Sequence, residues 1–217
     1  SRGLGDVYKR QPIDEFRNTV AGELQNNIST ELDAPKICRL TLSGVLSKKD
    51  IQYLSKLSAI TTGQLTYVDL SECELNSETF DGYSNGFCLQ EIILPKNTKR
   101  INSGAFRGDR SLYSVTLPEG LIDIGENVFD DCRYMGHLQL PATVKHISDR
   151  MFGSGKFDGI SIADNENFSV DNNALIDLQT GRLIGMPVKT VGKYVIPQTA
   201  TIIACLLYTS PSPRDCS

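Results

Sequence analysis

Three stretches of this chain repeat one pattern at a spacing of 23 residues. Ile92-Ile93-Leu94-Pro95 is followed by Ile101 and Ala105-Phe106. Val115-Thr116-Leu117-Pro118 is followed by Ile124 and Val128-Phe129, and Leu138-Gln139-Leu140-Pro141 by Ile147 and Met151-Phe152. One such unit holds too few apolar side chains to offset the entropy of ordering it. A fixed period of this length therefore marks a solenoid, whose units bury their apolar faces against their neighbours. The pattern predicts that Phe106, Phe129 and Phe152 form one buried column.

The two ends do not carry the pattern. Val7 to Gln11 can be coded by a sequence whose reverse complement, shifted by one base, codes Cys205 to Thr209. Residues 1–11 and 205–217 are thus expected to be non-native tails translated from one sequencing adapter, with the native chain continuing beyond both. The formal net charge of the whole sequence is −4. Arg2, Lys9 and Arg10 outweigh Asp6 by two charges and Arg214 balances Asp215, which leaves residues 12–204 at −6. An acidic chain of this kind lacks the basic footprint of a nucleic-acid or anionic-membrane binder.

Within 12–36 a capping helix and a linker are expected, because Phe16, Val20, Leu24 and Ile28 recur every fourth residue. Such a helix covers the open first rung, or else offers its stripe to a partner. Ile37 to Leu42 and Leu65 to Leu70 read as strands of two longer rungs. Between them Ser47 and Asp50 have capping-box spacing, which starts a helix running from Lys48 to about Ser58. Phe80 to Phe87, rich in Gly and Ser, reads as a loop inserted before the regular units. After them, Ile160 and Ile162 fall one residue out of register, and Phe168 and Val170 form a further short strand. Ala174–Asp177 and Leu183–Met186 flank a turn ending in Gly181, which reads as a β-hairpin. Tyr194 to Pro197 restarts the unit, so the repeat domain is expected to run over 37–204.

No catalytic constellation stands out, and neither a metal nor a cofactor is expected. His137 and His146 have no Cys or acid at ligand spacing. The turns at Asp164–Asn167 and Asp171–Asn173 lack the order of a calcium loop. Gly153-Ser154-Gly155-Lys156 lacks the first glycine of a phosphate loop. Cys38, Cys73, Cys88 and Cys132 form no CxxC pair and read as buried thiols, with a Cys73–Cys88 bridge left open.

The remaining candidates are outward positions of the strands, which neighbouring rungs align into columns. They are Arg39 and Thr41, Tyr67 and Asp69, Glu91 and Ile93, Ser114 and Thr116, and His137 and Gln139. Tyr67 and Ile93 are the apolar members, and aromatic anchors give contact area at low entropic cost.

Leu89 to Phe106, read as Leu-x-x-Ile-x-Leu-Pro-x5-Ile-x3-Ala-Phe, resembles the BspA-type leucine-rich repeat of bacterial surface proteins. Asn167 to Pro187 resembles the hairpin variant of that family, and Leu40 to Ser71 its N-terminal rungs. The resemblance implies an α/β leucine-rich-repeat solenoid, mostly β, with short strands on one curved sheet, a helical N-terminal cap and a β-hairpin insertion near the C-terminal end. It implies a secreted or cell-surface, non-enzymatic module that binds a protein or glycan, in some members adhesively. The other reading is a spacer that presents a separate domain. No membrane insertion is expected within this stretch, and the oligomeric state is open.

Overall fold

The computed structural model describes residues 12–31, 36–59, 61, 63–186, 198 and 200–203. The expected tails, residues 32–35 of the linker, and the restart at Tyr194 to Pro197 lie outside the described residues.

The repeat builds rungs with two strands each. The inner strands are β2 (Arg39–Leu46), β3 (Tyr67–Leu75), β5 (Glu91–Ile93), β7 (Ser114–Thr116) and β9 (Met135–Leu140). The outer strands are two residues long: β4 (Thr79–Phe80), β6 (Arg100–Ile101), β8 (Asp123–Ile124) and β10 (His146–Ile147). Ile92 pairs with Val115 and Ile101 with Ile124, so successive rungs are in parallel register at the period of the sequence. A third side is hydrogen-bonded at the Phe step. Phe106 N–H donates to Val128 C=O at 3.0 Å, and Phe129 N–H to Met151 C=O at 3.0 Å.

Side chains also tie each rung to the one before it. Asn97 receives the Leu75 N–H and donates to the Leu75 C=O, each at 2.9 Å. Thr143 donates to the Glu119 and Leu121 carbonyls, and Asn165 to those of Ala142 and Val144.

The interior is an apolar core that runs from Phe16 to Ile184, with Ala174, Ile176 and Leu183 in a second, smaller cluster. Phe106 and Phe129 rings lie 5.8 Å apart and nearly parallel, and Phe129 and Phe152 lie 6.1 Å apart. The column is longer than the three expected rings. Tyr83, 23 residues before Phe106, is fully buried 6.0 Å from it, and Phe80 stacks on both. The stretch Phe80 to Phe87 is therefore the outer half of a rung and not an inserted loop. A tyrosine fits this end of the column because its hydroxyl bonds to the buried Ser58 hydroxyl.

Two further expectations are corrected. Residues 12–29 do not form one helix: β1 (Asp14–Asn18) adds a parallel strand to β2, and α1 (Leu24–Glu31) follows a turn. Phe16 and Asn18 alternate with exposed Glu15 and Arg17, a period-two pattern that coexists with the four-residue stripe. Val20 of that stripe lies in the turn and is 55% exposed. Asp50 secures this arrangement from inside. Its carboxylate accepts the Gly22 and Leu24 N–H groups at the start of α1 and the Ser47 N–H at the cap of α2 (Lys48–Leu57). Gly44 permits the β1–β2 contact: its φ is +102°, and a Cβ there would meet the Asn18 carbonyl.

The strands also do not share one curved sheet. β1 and four of the inner strands form one, in the order β1-β2-β3-β5-β7, and the outer strands another. β9 leaves the first and pairs with β11 (Phe157–Ile162), in a register one residue short of the period, Leu138 to Ile160. β12 (Phe168–Asp171), β13 (Ala174–Asp177) and β14 (Arg182–Gly185) are antiparallel neighbours, with β15 (Ile202–Ile203) parallel to β14.

Candidate functional site

The parallel ladder places the expected columns side by side. Arg39 pairs with Tyr67 and Thr41 with Asp69. Tyr67 then pairs with Glu91, Asp69 with Ile93, Glu91 with Ser114 and Ile93 with Thr116. β1 extends the second column, since Glu15 pairs with Thr41. Sequence reasoning missed that member because its strand was read as helix.

The columns are not uniform. From Arg39 to Ser114 the side chains are half-buried, because close parallel strands make neighbours cover one another. The Arg39 guanidinium lies 4.2 Å from the Tyr67 ring centre, a cation–π contact that occupies the face of the expected aromatic anchor. Burial, followed by the Asp69 carboxylate, pushes the Tyr67 phenol up, so it is neutral at pH 7. Thr116, His137 and Gln139 are exposed.

The change coincides with the end of the five-stranded sheet. β7 and β9 belong to successive rungs, yet no ladder joins them. They meet at their N-terminal ends, where Gly136 N–H donates to Tyr113 C=O at 2.8 Å. Beyond that point they part over a cleft of about 330 Å³. Ser114, Thr116, His137 and Gln139 line it, with Glu119 at the turn and Leu117 and Pro141 as apolar walls. Four of the ten expected residues are thus brought into one concavity; the other six lie on the continuous sheet.

Glu119, Leu117 and Pro141 were not anticipated. The available signal was glycine at Gly136 and Gly159, inside what become β9 and β11, since strand glycines mark close approach or irregular pairing. A Cβ at Gly136 would press on the Tyr113 ring at 3.0 Å, and one at Gly159 on His137 Nδ1 at 2.8 Å. His137 is held from the other side, Nε2 to Ser161 Oγ at 2.7 Å.

Among the described residues no group of three or more His, Cys, Asp or Glu is placed to hold a metal ion. Cys38, Cys73, Cys88 and Cys132 are free thiols, and burial pushes Cys73 up to about 12. Among the described residues no helix is long and apolar enough to cross a membrane.

No curated protein sequence matches this one. Among solved structures, the pneumococcal vaccine antigen PcpA is similar with a TM-score of 0.55 and 19% identity, over 78% of this chain and 41% of that one. A leucine-rich repeat protein from Eubacterium ventriosum is similar with a TM-score of 0.48 and 16% identity, over 64% of this chain and 44% of that one. A leucine-rich cell surface protein from Faecalibacterium prausnitzii gives 0.33 and 15%, over 81% of this chain and 50% of that one. This chain therefore spans half or less of the length of each. At such identities the likeness to PcpA speaks for a shared fold alone. The model of the BspA-type leucine-rich repeat region matches residues 73–199 in six copies, more than half the sequence. The chain belongs to the BspA-type leucine-rich repeat family.

Proposed function

We propose that the chain is a non-enzymatic binding module of a secreted or cell-surface bacterial leucine-rich repeat protein. Its rungs stack as a solenoid, and the outward columns of the inner strands engage a protein or glycan. The observation that carries this reading is the register of the strand pairs. It sets Arg39, Tyr67, Glu91 and Ser114 in one row and Thr41, Asp69, Ile93 and Thr116 in the next. Such a surface varies from rung to rung while the core does not, so it can tell partners apart without disturbing the fold. Support for an external location comes from the family and from the similarity to a pneumococcal antigen.

The test is binding of the purified chain to immobilised matrix proteins and oligosaccharides. Tyr67→Ala combined with Ile93→Ser should weaken a protein contact at least tenfold while leaving the circular dichroism unchanged. Binding to neither class, in this chain and in the longer gene product, would favour the spacer reading instead.

A further inference from the structure

The cleft between β7 and β9 has a chemistry distinct from the rest of the columns. We propose that it is a subsite for a neutral sugar residue, an inference that rests on the binding-module reading above.

Three features point there. The first is the kind of group that lines the cleft. The Ser114 and Thr116 hydroxyls and the Gln139 amide each both donate and accept hydrogen bonds. Sugar hydroxyls do the same, and a ring of them is satisfied best by partners of that dual character. Glu119 adds an acceptor and is the one acidic side chain among the lining residues. A carboxylate there disfavours phosphate, sulfate and acidic sugars.

The second is preorganisation. The His137 ring has Nε2 on Ser161 Oγ and Nδ1 beside Gly159, so it is a fixed wall of the cleft and leaves the ligand's hydrogen bonds to Ser114, Thr116 and Gln139. Tyr113, immediately before Ser114 and just outside the lining, is 57% exposed, and its ring rests on Gly136 where β7 and β9 meet. An aromatic surface beside a row of hydroxyl-matching groups suits the apolar face of a pyranose ring.

The third is space. A peptide strand added between β7 and β9 would need them roughly 9.6 Å apart, twice the usual spacing of about 4.8 Å. The Gly136 N–H bond to Tyr113 C=O closes one end of the gap at 2.8 Å, so a third strand cannot run its length. The volume of about 330 Å³ sits at the small end of ligand sites, the size of a terminal sugar and part of the next.

The experiment uses the purified chain on an array of immobilised neutral and sialylated oligosaccharides, with titration calorimetry on the strongest neutral ligand. Thr116→Val and Gln139→Leu keep side-chain volume and leave the core untouched. Together they should lower affinity at least tenfold, and Tyr113→Ala should do so alone. Leu178→Ser, at an exposed side chain of the hairpin turn, should change sugar affinity less than twofold. Sugar binding that survives the cleft variants would overturn the location. Preference for sialylated ligands would overturn the assignment of charge. Binding to matrix proteins with no sugar binding would overturn the subsite while leaving the binding-module reading intact, and binding to neither would overturn both.

Discussion

Phe129→Ala tests whether the repeated Phe step is what holds the rungs together. The ring is fully buried and lies between Phe106, 5.8 Å away and nearly parallel, and Phe152 at 6.1 Å. Truncating a buried Phe costs about 3–5 kcal/mol, and the value depends on how far the site can collapse. Collapse is restricted here, because the backbone on either side is bonded to the next rung at Phe106–Val128 and Phe129–Met151. Two ring pairs are lost as well, each worth about 0.5–1.5 kcal/mol beyond the buried area. The expected cost therefore falls in the upper part of the range, about 4–5 kcal/mol. Urea unfolding followed by circular dichroism measures it, with an unchanged slope showing that the same surface is exposed. Tyr134→Ala, at a side chain 69% exposed, is the control and should stay within about 0.5 kcal/mol of wild type. A loss below about 1 kcal/mol for Phe129→Ala would mean that the column is not what stabilises the stack.

Asp109 gives a pH test: it is fully buried, burial pushes its carboxyl well above the ordinary 3.8, and Oδ1 accepts the Gly86 N–H. The folded state then keeps a proton that the unfolded state releases, so this contribution is complete below pH 3.8 and is lost as pH rises toward the folded value. Asp109→Asn should gain stability relative to wild type at pH 7 but not at pH 3.5, and parallel pH profiles would refute this. Gly44→Ala should cost at least about 1–3 kcal/mol in the same urea assay, from the left-handed backbone and the Asn18 carbonyl in the way of a Cβ; a neutral effect would mean that β1 is not docked there. Tyr83→Phe should cost only about 0.5–1.5 kcal/mol, because Ser58 Oγ keeps its bond to Leu54 C=O at 2.9 Å. Cys73 and Cys132 should resist alkylation at pH 8 in the folded protein, since burial holds both thiols protonated, and rapid labelling without unfolding would contradict their placement.

The sequence was legible wherever one residue type repeated one task. Phe at a fixed step and Leu-Pro after each strand named the rungs, because a buried column tolerates little variation. Tyr83 was missed because it does the same job with a different ring, and its neighbours Gly82 and Gly86 looked like loop. The first strand was missed because Phe16 to Ile28 satisfies a helical stripe, while Gly22, at φ +90°, breaks the helix between two of its members. Of the candidate face, the row assignments followed from the alternation of side chains along a strand. The missing ladder between β7 and β9 did not, because Val115 and Leu138 keep the 23-residue period and only backbone hydrogen bonding in three dimensions tells a paired rung from an unpaired one.

The side chains of Asn97, Thr143 and Asn165 all reach toward the N-terminus, each bonding to a rung already completed in chain order. A ribosome releases the chain in that same order. Each of these three side chains therefore emerges with its acceptor already made, whereas the backbone donors at the Phe step, Phe106 N–H and Phe129 N–H, wait for the rung that follows. Synthesis from the other end would present each of these donors before its acceptor existed.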